Sequence, residues 1–225
     1  MRTPEQTRWH VVLPVKAPGA SKTRLGGRDR SQLALAFATD TMAAVQGSPR
    51  VAALAVVTDD PQVAAIARAA RADVVEEACD PQLRGFARLN SAIRQGVAGS
   101  RWDALPVAAL TADLPALTAH EVTVALDAAS EHTRAFVPDH LGVGTSMITA
   151  HRGDALDPHF GGHSADAHEV SGAVRLNLLL PGMRQDVDFP EDLREAQLLG
   201  CGPATRALLA QIEAGAAPGT LDTTP

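Results

Sequence analysis

The chain has no tyrosine, two tryptophans and five phenylalanines; aromatics reach only 3%, so its arginines have few rings to stack on. It has two cysteines, Cys79 and Cys201, too few for a disulfide framework or a zinc site. A reducing compartment is the expectation. No stretch approaches the roughly 18 apolar residues of a membrane span. Met1 to Arg8 is polar, with no apolar core of signal-peptide length behind it. A cytoplasmic chain without a membrane partner is therefore expected. Positive charge is short as well: 20 Lys+Arg stand against 26 Asp+Glu, a net charge of −6. That balance argues against a nucleic-acid partner, which would require a basic patch or stripe. A small anionic ligand stays open, because a few local cations suffice to hold one.

Lysine is the scarcest charged residue. Of the 20 cations 18 are arginine, and the two lysines, Lys16 and Lys22, stand close together. In so arginine-rich a chain, a need for compact, flexible ammonium groups explains this clustering better than chance.

What the sequence does have is enough apolar residue, 45% of 225, for one substantial core. Short continuous apolar runs (Trp9–Val15, Val51–Val57, Ala72–Val75, Leu105–Leu110, Ala135–Pro138, Thr145–Thr149) alternate with helical patterns. The predicted helices are Ser31–Val45 with Ser31 as N-cap, Pro61–Ala70, Phe86–Val97, Thr118–Ser130, Pro190–Leu199 and Pro203–Ala214. Thr118 with Glu121 three residues on reads as a capping box. His151–Val170 reads as a long polar loop, and Val174–Leu180 and Met183–Val187 as short strands. Continuous apolar strands alternating with helices predict an α/β chain: a single domain over 9–214 whose mostly parallel, twisted sheet carries helices on both faces. Residues 1–8 and 215–225 are expected to be flexible termini.

Ligands of such sheets bind beyond the carboxyl ends of the strands, so the loops there are the place for chemistry. After the first strand, Lys16, Lys22 and Arg24 lie in a small-residue loop suited to cradle phosphates; the P-loop pattern is absent, and a solvated surface loop is the alternative. After the fourth, Thr111-Ala112-Asp113 puts a carboxylate at the sheet's mouth. Asp186 and Asp188, two apart on an extended segment, point the same way and join Asp113 as metal candidates. Glu191 and Asp192 fit the start of the following helix better. Glycine- and hydroxyl-bearing loops at Gly142–Ser146 and Phe160–Ser164 suit a small phosphate or carboxylate, or are simply a hairpin and a loop. Four of the eight histidines fall at His151, His159, His163 and His168, with spacings that match no standard zinc ligand set.

Taken in order, the motifs PVKxxxxxKTRL (Pro14–Leu25), LxxDLPAL (Leu110–Leu117), GVGTS (Gly142–Ser146), HFGGHS (His159–Ser164) and DVDFPEDL (Asp186–Leu193) resemble one family. It is the phosphoenolpyruvate and 2-phospho-L-lactate guanylyltransferases of deazaflavin coenzyme (F-420) biosynthesis. The resemblance runs from about Val11 to Ala207. It implies a nucleotidyltransferase fold of the nucleotide-diphospho-sugar transferase kind, with GTP and phosphoenolpyruvate as substrates and Mg²⁺ as cofactor. It implies that Thr145, Gly161 and Ser164 hold phosphoenolpyruvate, and that Asp113 and Asp186, with Asp188 close by, hold the metal. Lys16, Lys22 and Arg24 would bind the triphosphate and act on the leaving pyrophosphate, and Asn90 would lie near the guanine. The segment Arg84–Arg88 departs from the acidic, proline-containing approach expected there. The readings kept beside this one are phospholactate as acceptor, another nucleotidyltransferase acting on a sugar phosphate or a molybdenum cofactor, and a non-catalytic GTP-binding module. A second copy of the chain is kept as a candidate partner.

Overall fold

Six consecutive buried residues, Trp9–Pro14, form β1, and the rest of the sheet is built outward from them. The computed structural model describes residues 7–17, 29–102 and 104–216. Along the chain β1 is followed by α1 (Arg30–Gly47), β2 (Val51–Thr58), α2 (Pro61–Ala69), β3 (Asp73–Glu76), α3 (Gly85–Ala98), β4 (Val107–Leu110) and α4 (Ala119–Ala129). Then come β5 (Arg134–Pro138), β6 (Thr145–Ala150), α5 (Ser164–Val170), β7 (Val174–Arg175), α6 (Pro181–Arg184), α7 (Pro190–Leu199) and α8 (Pro203–Ala216). The strands form one sheet in the order β3-β2-β1-β4-β6-β5-β7. The pairs β1/β2, β2/β3, β1/β4 and β5/β7 are parallel; β6 alone is reversed, antiparallel to both β4 and β5.

Strand alternation explains why β1 is apolar throughout. Trp9, Val11 and Leu13 face a core layer containing Met42, Leu54 and Leu126, while Val12 faces the opposite layer with Val57, Ile93, Phe136 and Ile148. A third cluster, built on Leu33, Phe37, Val187 and Cys201, packs against Leu208, Leu209 and Ile212 of α8. The buried carboxylate of Asp40 in α1 accepts hydrogen bonds from the N–H groups of Ala204 (2.9 Å) and Thr205 (2.8 Å), capping α8 from outside its own segment.

Several expectations are corrected here. The N-cap of helix α1 lies two residues earlier than expected, at Asp29 and not Ser31, and the Leu33 N–H bonds to the Asp29 carbonyl at 2.8 Å. The expected polar loop 151–170 contains a 3-10 turn at Gly153–Ala155 and the helix α5, which turns Ala165 and His168 inward. Of the expected strand 174–180 only Val174 and Arg175 pair with β5, opposite Ala135 and Phe136, and the last bond to β5 is from Leu176 N–H to the Phe136 carbonyl at 2.8 Å. The expected strand 183–187 starts instead inside α6. Pro181 presets the first helical turn, and one Glu121 oxygen accepts from Gly182 N–H at 2.7 Å and Met183 N–H at 3.4 Å. The other oxygen of Glu121 closes the expected capping box with Thr118. Among the described residues, no helix is long and apolar enough to cross a membrane.

Helix α3 lies close against the sheet because Gly96 has no side chain. A Cβ there would come 2.5 Å from Val12 Cγ1 and 2.6 Å from Val57 Cγ2. Gly96→Ala gains about 1 kcal/mol of helix propensity but overpacks a close-packed layer, at about 1–3 kcal/mol. The expected outcome is a net loss of about 1 kcal/mol, seen as a lower urea midpoint. A midpoint that rises would mean that α3 can move off the sheet at little cost.

Candidate active site

The strand order sets the position of the site. From β1 the chain goes to β2 on one side of the sheet, while β4 pairs on the other, so a crevice opens between the carboxyl ends of β1 and β4. The reversed strand β6 starts at that same edge, so the hairpin 139–144 and Thr145 open into the crevice as well. The resulting cleft has a volume of about 770 Å³, within the range of small-molecule sites.

The cleft gathers residues that are far apart in sequence. Lys16 follows β1, Thr111 and Asp113 follow β4, and Thr145 begins β6. Gly161 and Gly162 come from the approach to α5 and Ser164 from its first position, Asp186 and Asp188 from the approach to α7, and Gly85, Phe86 and Leu89 from α3. Thus Lys16, Asp113, Asp186, Asp188, Thr145, Gly161 and Ser164, all singled out in the sequence, line one cavity. Lys22 and Arg24 lie outside the described residues. Asn90 does not line the cavity; it sits behind it. Its amide nitrogen donates to the Phe160 carbonyl and its oxygen accepts from the Phe160 N–H, both at 2.9 Å.

Local bonds hold the acidic wall in place. The Val187 N–H donates to the Asp113 carbonyl at 3.1 Å, which ties the 186–188 segment to the turn after β4. That turn is held from α1, where the buried Thr41 hydroxyl accepts from Leu114 N–H at 3.3 Å. The His140 imidazole lies 3.5 Å from the Asp186 carboxylate. Two further acids on the wall are committed to the backbone. Asp139 accepts from Val143 N–H (3.0 Å) and Gly144 N–H (2.9 Å), which folds the hairpin. Asp192 accepts from Asp188 N–H (2.9 Å) and Phe189 N–H (2.7 Å), the helix-start role expected of it. A Cβ on Gly144 would collide with the Asp139 carboxylate, so this hairpin requires glycine there.

Asp113, Asp186 and Asp188 are hard oxygen donors on one wall, the chemistry that suits a hard divalent cation sharing phosphate oxygens. Beside them the buried Thr111 hydroxyl has no hydrogen-bond partner among the described residues. The donor set fits such an ion. Without one, carboxylates at this density would repel a phosphate. The cluster Asp59, Glu77 and Cys79 lies elsewhere and already encloses a cation: Arg88 bonds to Glu77 at 2.6 Å and to Asp59 at 2.8 Å.

His168, which the sequence offered only as a member of a histidine-rich loop, is fully buried in α5 behind the cleft. One ring nitrogen, Nδ1, lies 2.9 Å from the Thr145 hydroxyl; the other, Nε2, accepts from the His159 N–H at 2.9 Å. The signal for it was the pair Ala165 and His168, three apart, which shares the inner face of a short helix. Burial, with His159 and Arg134 adding to it and Asp157 opposing, pushes the His168 pKa down to about 4. Burial does the same to His10 in β1, against the pull of Asp73.

Residues 9–220 match the model of a family described as guanylyl transferase CofC like. A phosphoenolpyruvate guanylyltransferase of Salinispora arenicola is 46% identical over 89% of this chain and 92% of its own length. One from Streptomyces coelicolor is 44% identical over 91% of this chain and 97% of its own. Among solved structures, a nucleotidyl transferase from Methanothermobacter thermautotroptrophicus superposes with a TM-score of 0.60 at 18% identity, over 85% of this chain and 97% of that one.

The two buried imidazoles make stability depend on pH. Their folded pKa of about 4 lies below the ordinary 6.5, so below pH 6.5 the unfolded chain takes up protons that the folded chain refuses. Their contribution is complete above pH 6.5 and is lost as pH falls from 6.5 towards 4, by up to about 1.4 kcal/mol per unit for each ring. Urea unfolding at pH 7.5, 6 and 5 checks this. A stability unchanged between pH 7.5 and 5 would contradict neutral buried rings.

Proposed function

This chain belongs to the CofC-like guanylyl transferase family, and from that membership we propose that it joins phosphoenolpyruvate to the guanylyl group of GTP. The reaction belongs to coenzyme F-420 biosynthesis. A phosphate oxygen of phosphoenolpyruvate attacks the α-phosphorus of GTP, and the bond from that phosphorus to the bridging oxygen of the β-phosphate breaks. Enolpyruvoyl-2-diphospho-5'-guanosine and pyrophosphate result. The observation that carries this reading is the convergence of Lys16, Asp113, Asp186, Asp188, Thr145, Gly161 and Ser164 on one cleft.

A phosphate oxygen is already a competent nucleophile near neutral pH, so the chain's task is to position the reactants and offset charge. Lys16, Lys22 and Arg24 bind the triphosphate and stabilise the pyrophosphate as it leaves. Thr145, Ser164 and the Gly161 backbone hold phosphoenolpyruvate on the β6 side. The guanine takes the α3 side, near Gly85, Phe86 and Leu89, where Asn90 fixes the neighbouring backbone of Phe160. Asp113 and Asp186, with Asp188 beside them, would hold Mg²⁺, which would supply charge neutralisation of phosphate oxygens and orientation of the two reactants. The two cysteines are free thiols, Cys79 exposed and Cys201 buried, which accords with a cytoplasmic protein.

The reaction is tested by mixing the protein with GTP, Mg²⁺ and phosphoenolpyruvate and identifying the condensed product by mass. A parallel arm with 2-phospho-L-lactate reports the acceptor: a higher kcat/KM there would overturn the phosphoenolpyruvate assignment, and nucleotide binding without pyrophosphate release would point to a binding module.

Asp113→Ala and Asp186→Ala should each lower kcat by about two orders of magnitude or more and weaken Mg²⁺ binding in calorimetry, with the fold intact by circular dichroism. Wild-type Mg²⁺ affinity in both variants would remove the carboxylates from the metal site.

Lys22→Arg keeps the charge but changes its reach and shape. Loss of one charge-assisted hydrogen bond of about 1.5–3 kcal/mol should slow turnover about tenfold or more. Unchanged rates for both Lys16→Arg and Lys22→Arg would make the lysine clustering incidental.

A further inference from the structure

Hydrogen-bond directions around His168 form a chain with one solution. The His159 N–H has only a proton to give, so the His168 nitrogen it meets, Nε2 at 2.9 Å, must carry a lone pair. A neutral imidazole with a bare Nε2 bears its proton on Nδ1. Nδ1 lies 2.9 Å from the Thr145 hydroxyl, which is therefore the acceptor of that bond. A hydroxyl whose lone pair is engaged in this way keeps its own proton for a second partner, and Thr145 lines the cleft.

We propose that His168 is a positioning residue for the acceptor, one that fixes the Thr145 hydroxyl as a hydrogen-bond donor into the cleft and ties the Thr145 strand to the 159–161 loop. The inference rests on the assignment of Thr145 to phosphoenolpyruvate. An acceptor carrying a phosphate and a carboxylate presents only oxygen lone pairs, so a hydroxyl locked as donor suits it, whereas a freely rotating hydroxyl would have to be oriented on each binding event. The same ring joins both halves of the acceptor site. One ring nitrogen meets the first residue of β6, and the other meets the backbone just before Phe160, whose amide and carbonyl Asn90 holds from the far side. Flanking rings fix the imidazole plane: Phe136 and Phe160 have centroids 5.6 Å away and His159 5.9 Å away. His168 does not line the cleft, so it acts through Thr145 and the loop and not on the substrate itself.

Two substitutions separate the two legs. Asn places an amide nitrogen where Nδ1 stands, which keeps the leg to Thr145. Gln reaches the Nε2 position, which keeps the leg to His159. Steady-state kinetics at saturating GTP should show His168→Gln raising the KM for phosphoenolpyruvate roughly tenfold, with the KM for GTP unchanged. Thr145→Val should cost a similar factor in the wild type, almost nothing further in His168→Gln, and nearly its full factor in His168→Asn. Additive effects of Thr145→Val and His168→Gln would overturn the role of His168 while leaving the acceptor site standing. A wild-type acceptor KM in Thr145→Val alone would overturn the acceptor assignment itself, and the inference with it. Nitrogen-15 spectra of the unmutated protein give an answer that does not depend on the variants folding. The His168 ring, assigned by its proximity to Phe136 and Phe160, should be the Nδ1–H tautomer, and its Nδ1 signal should shift when phosphoenolpyruvate and Mg²⁺ are added. An Nε2–H tautomer, or an unshifted signal, would overturn the proposal.

Discussion

The pairing of β1 with β2 on one side and β4 on the other is the constraint from which the cleft follows. Parallel strands end on the same edge of a sheet, and the edge between two strands whose connections diverge is left uncovered by helices. The side chains at that edge are then whatever follows the strands: Lys16 after β1 and Asp113 after β4. The Val187–Asp113 backbone bond adds a third segment to the same place, bringing Asp186 and Asp188 alongside. Remote packing supports this arrangement. Thr41 holds the Asp113 turn from α1, and Asp40, its neighbour in sequence, docks the start of α8 against the same helix.

Charge in the cleft is arranged by the same economy. Among the described residues five carboxylates line it; Asp139 folds the hairpin and Asp192 starts α7. Those two acids serve the backbone, and Asp113, Asp186 and Asp188 make up a set of oxygen donors whose chemistry suits a divalent cation. The hydroxyl side of the cleft is arranged by a neutral network instead. A ring kept uncharged by burial has only one way to satisfy two neighbours, so the direction of each hydrogen bond is determined.

The parts of the fold legible in the sequence were those where local chemistry and tertiary demand agree. Continuous apolar runs marked β1, β2 and β4 because both faces of these strands are covered, and the Thr118–Glu121 capping box marked α4. The region after β6 was misread because its periodicity is carried by few residues. Just three residues, Ser164, Ala165 and His168, form the inner face of α5. The start of α6 depends on Glu121, sixty-one residues away from Gly182, which no local pattern discloses. In the cleft, motif order was enough to nominate the lining residues. It does not distinguish a residue on the wall from one behind it, such as Asn90, whose amide is bound to the Phe160 backbone.

The reversed direction of β6 has a consequence for how the molecule can vary. The residues proposed to hold the acceptor, Thr145, Gly161 and Ser164, all lie between β5 and β7, in one contiguous stretch of chain folded as a hairpin and a short helix, whereas Lys16, Asp113, Asp186 and Asp188 come from segments scattered through the rest. Changes in that stretch leave the parallel register of β1, β2 and β4 untouched. On the proposed assignment, the acceptor half of the cleft is a single cassette that can be exchanged as a unit, whereas the other half can change only through concerted edits at several distant places.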